Sequence, residues 1–111
     1  MIFAFKHMER SEALESNAQA TFQEIFEKFS QNPTSCYVTF SANSKFQSVH
    51  ISAHLSDGHQ IELEQGEEDM YKSIELISDK LSRDLEKHKN KALAQRNQPR
   101  PEADLTEESE D

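Results

Sequence analysis

The sequence predicts an α+β domain with element order β-α-β-β-β-α, a four-stranded sheet carrying two helices on one face. Three observations lead there. Apolar residues recur at steps of three and four over Leu14 to Phe29 and again over Met70 to Leu85, the spacing of a helix with one buried face. Between these stretches, residues 36–63 alternate apolar and polar side chains with period two, as strands with one wet face do. Each helix has only one apolar stripe, so a single sheet face can bury both.

The elements follow in chain order. Ile2, Phe3 and Phe5 suggest a short first strand. Ser11 is placed to cap a helix, with Glu12 in the first turn where the macrodipole favours an anion. Leu14, Ala18, Phe22, Ile25 and Phe29 form the buried face of that helix, which should stop near Gln31, ahead of Asn32-Pro33. A strand over Cys36 to Phe40 points Cys36, Val38 and Phe40 to one side. The next, Phe46 to Leu55, sends Val49, Ile51, Ala53 and Leu55 inward and Ser48, His50, Ser52 and His54 outward. Ser56-Asp57-Gly58 is a turn signal, and Ile61 and Leu63 continue the alternation in a fourth strand. Glu67, Glu68 and Asp69 are expected to open the last helix. Its stripe is Met70, Ile74, Ile77, Leu81 and Leu85, and it should run to about Lys91 or slightly beyond. If the first two strands are parallel neighbours, their crossover should be right-handed.

A chain of 111 residues, 34% apolar and 30% charged, has room for one compact core. The expected division is a domain over residues 1–93 and an acidic, disordered tail over 94–111, where Gln, Asn, Pro and acids replace apolar residues. One cysteine, Cys36, permits no internal disulfide and no CxxC pair. The N-terminal apolar run is too short for a signal sequence, and no stretch approaches the ~20 apolar residues of a membrane span. A cytoplasmic location and no membrane partner are the expectations.

The net charge of −9 argues against a nucleic-acid partner when taken as an average. The charge is strongly segregated, however. Residues 1–79 carry 5 basic and 13 acidic side chains, residues 80–100 carry 7 and 2, and residues 101–111 carry six acids and no base. A polyanion site therefore belongs in the 80–100 stretch. Lys80, Arg83, Lys87 and Lys91 fall within an arc of about 80° on the last helix, beside the apolar stripe. A row of cations at helical pitch suits a phosphate backbone. By spacing alone, such a row is more often an ordinary solvated face.

The wording of the segment favours the first reading. Glu68-Asp69-Met70-Tyr71-Lys72-Ser73-Ile74, then Asp79-Lys80-Leu81-Ser82-Arg83-Asp84-Leu85-Glu86-Lys87-His88-Lys89-Asn90-Lys91, strongly resembles the C-terminal helix of the ribosome hibernation-promoting factor family, also called ribosome-associated inhibitor or sigma-54 modulation proteins. The resemblance is sharpest over Glu68 to Lys91 and extends in outline to Met1 through the element order. It implies the same β-α-β-β-β-α fold, similar to a double-stranded-RNA-binding domain. It also implies a non-enzymatic, cofactor-free stasis factor that inhibits translation by occupying the mRNA and tRNA channel of the small ribosomal subunit during slow growth or stress. The implied partners are ribosomal RNA and basic ribosomal proteins, with a monomer off the ribosome. Carried over by position, Lys80, Arg83, Lys87, Lys89 and Lys91 would contact ribosomal RNA, joined by His88, Lys28 and Arg96.

Two departures stand out. The first helix is usually basic in the family but here reads Gln23, Glu24, Glu27 and a single Lys28, and the turn before the third strand offers only Lys45. The acidic tail resembles the short, ribosome-inactivating type, which tends to oppose ribosome pairing. Those acids would be repelled by ribosomal RNA and could fold back on the basic row.

Other chemistry is weakly signalled. His50 and His54 share a strand face but stand roughly 13 Å apart at strand rise, too far to share an ion. His7 and His59 lie at strand ends, without an HxxH or HExxH spacing, and no metal site is expected. Cys36 points inward, where a thiol acts as a small hydrophobe. Glu62 and Glu64 share a strand face without a pocket signature, and two glycines cannot build a phosphate-cradling loop. Two rivals remain: a protein-interaction module whose acidic first helix docks a basic partner without touching RNA, and a metal-dependent enzyme using the histidines.

Overall fold

A computed structural model describes residues 1–97, and the side chains of residues 1–91. Its order is β1 (Ile2–Lys6), α1 (Glu12–Lys28), β2 (Pro33–Ala42), β3 (Gln47–Leu55), β4 (Gln60–Glu67) and α2 (Met70–Asn97). The four strands form one mixed sheet in the order β1-β2-β3-β4, with β1 parallel to β2 and the other two pairings antiparallel. The α+β expectation is met.

Alternation decides which sheet face is covered. Val38 and Phe40, then Val49, Ile51, Ala53 and Leu55, then Ile61, are buried, while Tyr37, His54 and Glu62 between them are exposed. The covering residues are Leu14, Ala18, Phe22 and Phe26 of α1 and Met70, Ile74, Ile77, Leu81 and Leu85 of α2. Both helices thus share one core against one side of the sheet. The stripe of α1 differs from the sequence expectation at its end. Phe26 is fully inside, whereas Ile25 and Phe29 only flank the core. Steps of four from Leu14 lead to Phe26, and α1 has already closed when the chain reaches Phe29.

That closure explains the early stop. Gln31 N–H donates to Phe26 O (2.8 Å) and Ser30 N–H to Glu27 O (3.0 Å), a Schellman arrangement with Ser30 in the left-handed position at φ 57°. At the other end Ser11 caps as expected, its hydroxyl accepting from Leu14 N–H at 3.2 Å.

The acids before α2 play a different part from the one expected. Glu67 belongs to β4, Glu68 precedes the helix, and no acid occupies its first turn. Asp69 stands just outside instead, its carboxylate accepting from Tyr71 N–H (3.1 Å) and its carbonyl from Ser73 N–H (3.0 Å). A carboxylate used as a cap has to lie outside the helix it caps. Ser73 is fully buried and donates its hydroxyl to Gln47 O, tying α2 to the start of β3. Ser73→Ala removes that bond between the two elements and is expected to cost about 1–2 kcal/mol, read as a lower urea midpoint with unchanged m.

β2 is also longer than its apolar alternation indicated, because pairing with β3 runs on to Pro33 and Ala42. A proline is tolerated at the first residue of a strand. Gly58, at φ 96°, makes the tight turn between β3 and β4. The helix α2 continues to Asn97, across the boundary expected at residue 93, and the acidic stretch of the expected tail lies outside the described residues.

Candidate nucleic-acid interface

Burial of Leu81 and Leu85 against the sheet fixes the rotation of α2, and the charged positions beside them are left at the surface. Lys80, Arg83, Lys87, Lys89 and Lys91 are all exposed. Lys80, Arg83 and Lys87 line one open groove together with Asp84. The row from Lys80 to Lys91 extends about 16 Å along the helix axis at 1.5 Å per residue. Lys80 Nζ donates to the carbonyl oxygen of Glu64 on the edge strand β4, at 3.2 Å. A neutral carbonyl orients the ammonium without cancelling its charge, and two further donors remain.

Other residues singled out from the sequence lie elsewhere. Lys28 ends α1 with its ammonium over the ring of Phe29, 5.6 Å from the centroid, and does not line the groove. The α1 surface is acidic as read, with Gln23, Glu24 and Glu27 exposed. The side chain of Arg96 lies outside the described residues.

His88 turns away from the row. Its Nε2 meets Asp57 Oδ2 at 2.7 Å, and its ring stacks on that of His59 with centroids 4.0 Å apart and planes 7° from parallel. His59 Nε2 in turn meets Asp84 Oδ1 at 2.9 Å. The β3–β4 turn is thereby clamped to α2 by two histidine–carboxylate contacts and one ring stack. Sequence reading missed this group. The signal was present as Asp57-Gly58-His59 in the turn and Asp84 and His88 four apart on the helix, but nothing in the sequence says that the two segments meet.

Hydrogen bonds to Asp57, first from the His88 side chain and then from the His59 backbone N–H, hold its carboxyl below the usual carboxylate range. A depressed carboxyl contributes stability that is present above its unfolded pKa and is lost as pH falls through the folded value. Urea midpoints should therefore drop more in wild type than in Asp57→Asn on going from about pH 6 to about pH 3, a span that crosses the ordinary Asp value near 3.9 and runs toward the lowered one. Equal drops would show that the clamp adds nothing to acid sensitivity.

Cys36 is buried, and burial pushes its thiol up to about 11, so it is not a poised nucleophile. On the open sheet face, Glu62 accepts from Ser52 Oγ (2.8 Å) and meets His50 Nε2 (3.1 Å), and these bonds lower its carboxyl. Among the described residues no group of three or more His, Cys, Asp or Glu side chains is arranged to hold a metal ion. No helix of the described residues is long and apolar enough to cross a membrane.

Comparison with known proteins fits this frame. A ribosome hibernation promoting factor from Azotobacter vinelandii is 35% identical over 68 residues, a match covering 61% of this chain and 63% of that relative's length. A ribosomal subunit interface protein from Coxiella burnetii shares the fold with a TM-score of 0.68 at 23% identity, over 80% of this chain and 96% of that one. The N-terminal domain of Protein Y from Thermus thermophilus does so with a TM-score of 0.69 at 16% identity, over 79% and 99%. The family model described as sigma 54 modulation protein / S30EA ribosomal protein matches residues 1–92, from the first strand through the exposed lysine row, and the chain belongs to that family.

Proposed function

We propose that this chain is a ribosome hibernation factor of the cytoplasm that binds the small ribosomal subunit in the channel used by mRNA and tRNA. It blocks translation by occupancy alone. The observation that carries this reading is the groove of Lys80, Arg83 and Lys87, a local concentration of cations on a chain of net charge −9, in a member of this family. Three cations along one helix edge can meet successive phosphates of ribosomal RNA, each neutralised phosphate releasing counterions. Lys91, the next member of the row, continues the contact toward the C-terminal end of α2. With α1 acidic, the electrostatic contribution rests on α2, so binding should be weaker than a surface with both helices basic would give, with a salt slope set by the few contacts of α2.

The exposed acids of α1 favour a second reading, a contact with a basic protein in which RNA is not touched. Cosedimentation of purified protein with vacant small subunits at low and high salt separates the two when repeated with ribosomal RNA stripped of proteins. Binding to the stripped RNA that weakens with salt supports the groove. Failure to bind vacant subunits even at low salt would sink the proposal.

A further inference from the structure

The clamp of Asp57, His59, Asp84 and His88 is a cluster of titratable side chains bordering the basic groove, since Asp84 belongs to both. We propose that the stacked His59–His88 pair is a proton-linked extension of that groove, taking up protons when an RNA phosphate backbone binds and so tightening binding as the medium acidifies. The inference rests on the reading of the groove as the RNA contact.

Each ring points Nε2 at a carboxylate, which can only accept, so Nε2 carries the hydrogen and Nδ1 is the atom left to take a second proton. Histidine as a residue type gains its charge between pH 8 and 5. The charged groups around the rings are Asp57 from the turn and Asp84 from α2, with Arg83 adjoining Asp84, Lys87 adjoining His88, and Lys91 three positions further along the helix. With both rings neutral, the two carboxylates oppose the attraction of Lys80, Arg83 and Lys87 for a polyanion. With the rings protonated, the carboxylates are balanced and the groove acts at full strength.

An arriving phosphate favours the protonated rings, since the groove and clamp share Asp84 and lie well inside a Debye length of about 8–10 Å. By reciprocity, protonation then favours the phosphate by the same factor. Two cations with ring centroids 4.0 Å apart also repel, so a proton taken up by one ring opposes uptake by the other. An uptake of about half a proton per complex gives a roughly tenfold gain in affinity from about pH 7.5 to about pH 5.5.

The test uses a short RNA duplex of fixed sequence as the probe, at constant ionic strength. Wild type and the His50→Asn/His54→Asn control on the open sheet face should both show the roughly tenfold gain, and His59→Asn/His88→Asn should lose most of it. Ring-proton NMR titration of the unmodified protein gives a readout that needs no variant: the His59 and His88 midpoints should move to higher pH when the duplex is present. Midpoints indifferent to RNA, or a pH dependence that persists in His59→Asn/His88→Asn, would overturn the inference while leaving the groove intact. The groove reading has its own arm, Arg83→Glu/Lys87→Glu. Should that variant bind RNA as tightly as wild type at every pH, the groove is not the contact and the proton linkage falls with it.

Discussion

Arg83→Glu combined with Lys87→Glu is expected to reduce affinity for vacant small subunits on the order of a hundredfold at about 0.1 M salt, and to flatten the salt dependence by about two units of slope. On the proposed reading each substitution removes one phosphate contact, and each places an anion in the groove that Lys80, Arg83, Asp84 and Lys87 line. Both side chains are exposed on α2, clear of the buried Leu81 and Leu85, so the cost in folding should stay below about 1 kcal/mol. Filter binding across a salt series, paired with urea denaturation, reads both effects. A variant that folds and binds with unchanged affinity and slope would move the contact to another surface.

Phe40→Ala is expected to cost about 3–5 kcal/mol, a large share of the 5–15 kcal/mol that holds a domain together. Phe40 is fully buried in β2, and the rings of Phe5 and Phe3 stack on it with centroids 5.1 and 6.1 Å away. β1 is an edge strand paired only to β2, so removing Phe40 takes away the apolar surface to which β1 is fastened. Urea unfolding followed by circular dichroism gives the total. Amide exchange should show residues 2–6 losing protection before the β3–β4 hairpin does. A loss under about 1 kcal/mol would mean that the site collapses to fill the cavity, and that the stack contributes little.

Both predictions start from residues the sequence already marked, and the marks differ in kind. Phe40 was legible because alternation assigns it a face, and on a strand the face decides burial. Arg83 and Lys87 were legible as exposed cations because the neighbouring apolar positions fix how α2 must roll. Phe26 was less legible: Ile25, Phe26 and Phe29 all fit some helical face, and only the Schellman closure at Ser30 and Gln31 shows where α1 ends. The opening of α2 was misread for a related reason. Acids near a helix start satisfy the macrodipole whether they lie inside the first turn or just before it, and the choice fell to the cap made by Asp69.

The sequence by itself determined the element order, the faces that are buried and the isolation of positive charge on the last helix, because periodicity and charge are local properties of the chain. Tertiary structure alone decided what the local pattern cannot encode. It places the edge strand β4 beside Lys80, and it brings the β3–β4 turn to α2 so that His59 lies on His88, residues 29 positions apart in the chain. It also puts Asp84 in the basic groove and the clamp at once. Contacts between elements depend on how the sheet and helices pack as a whole, and so a histidine that reads as one of five scattered residues becomes a neighbour of the candidate RNA site only in the folded chain.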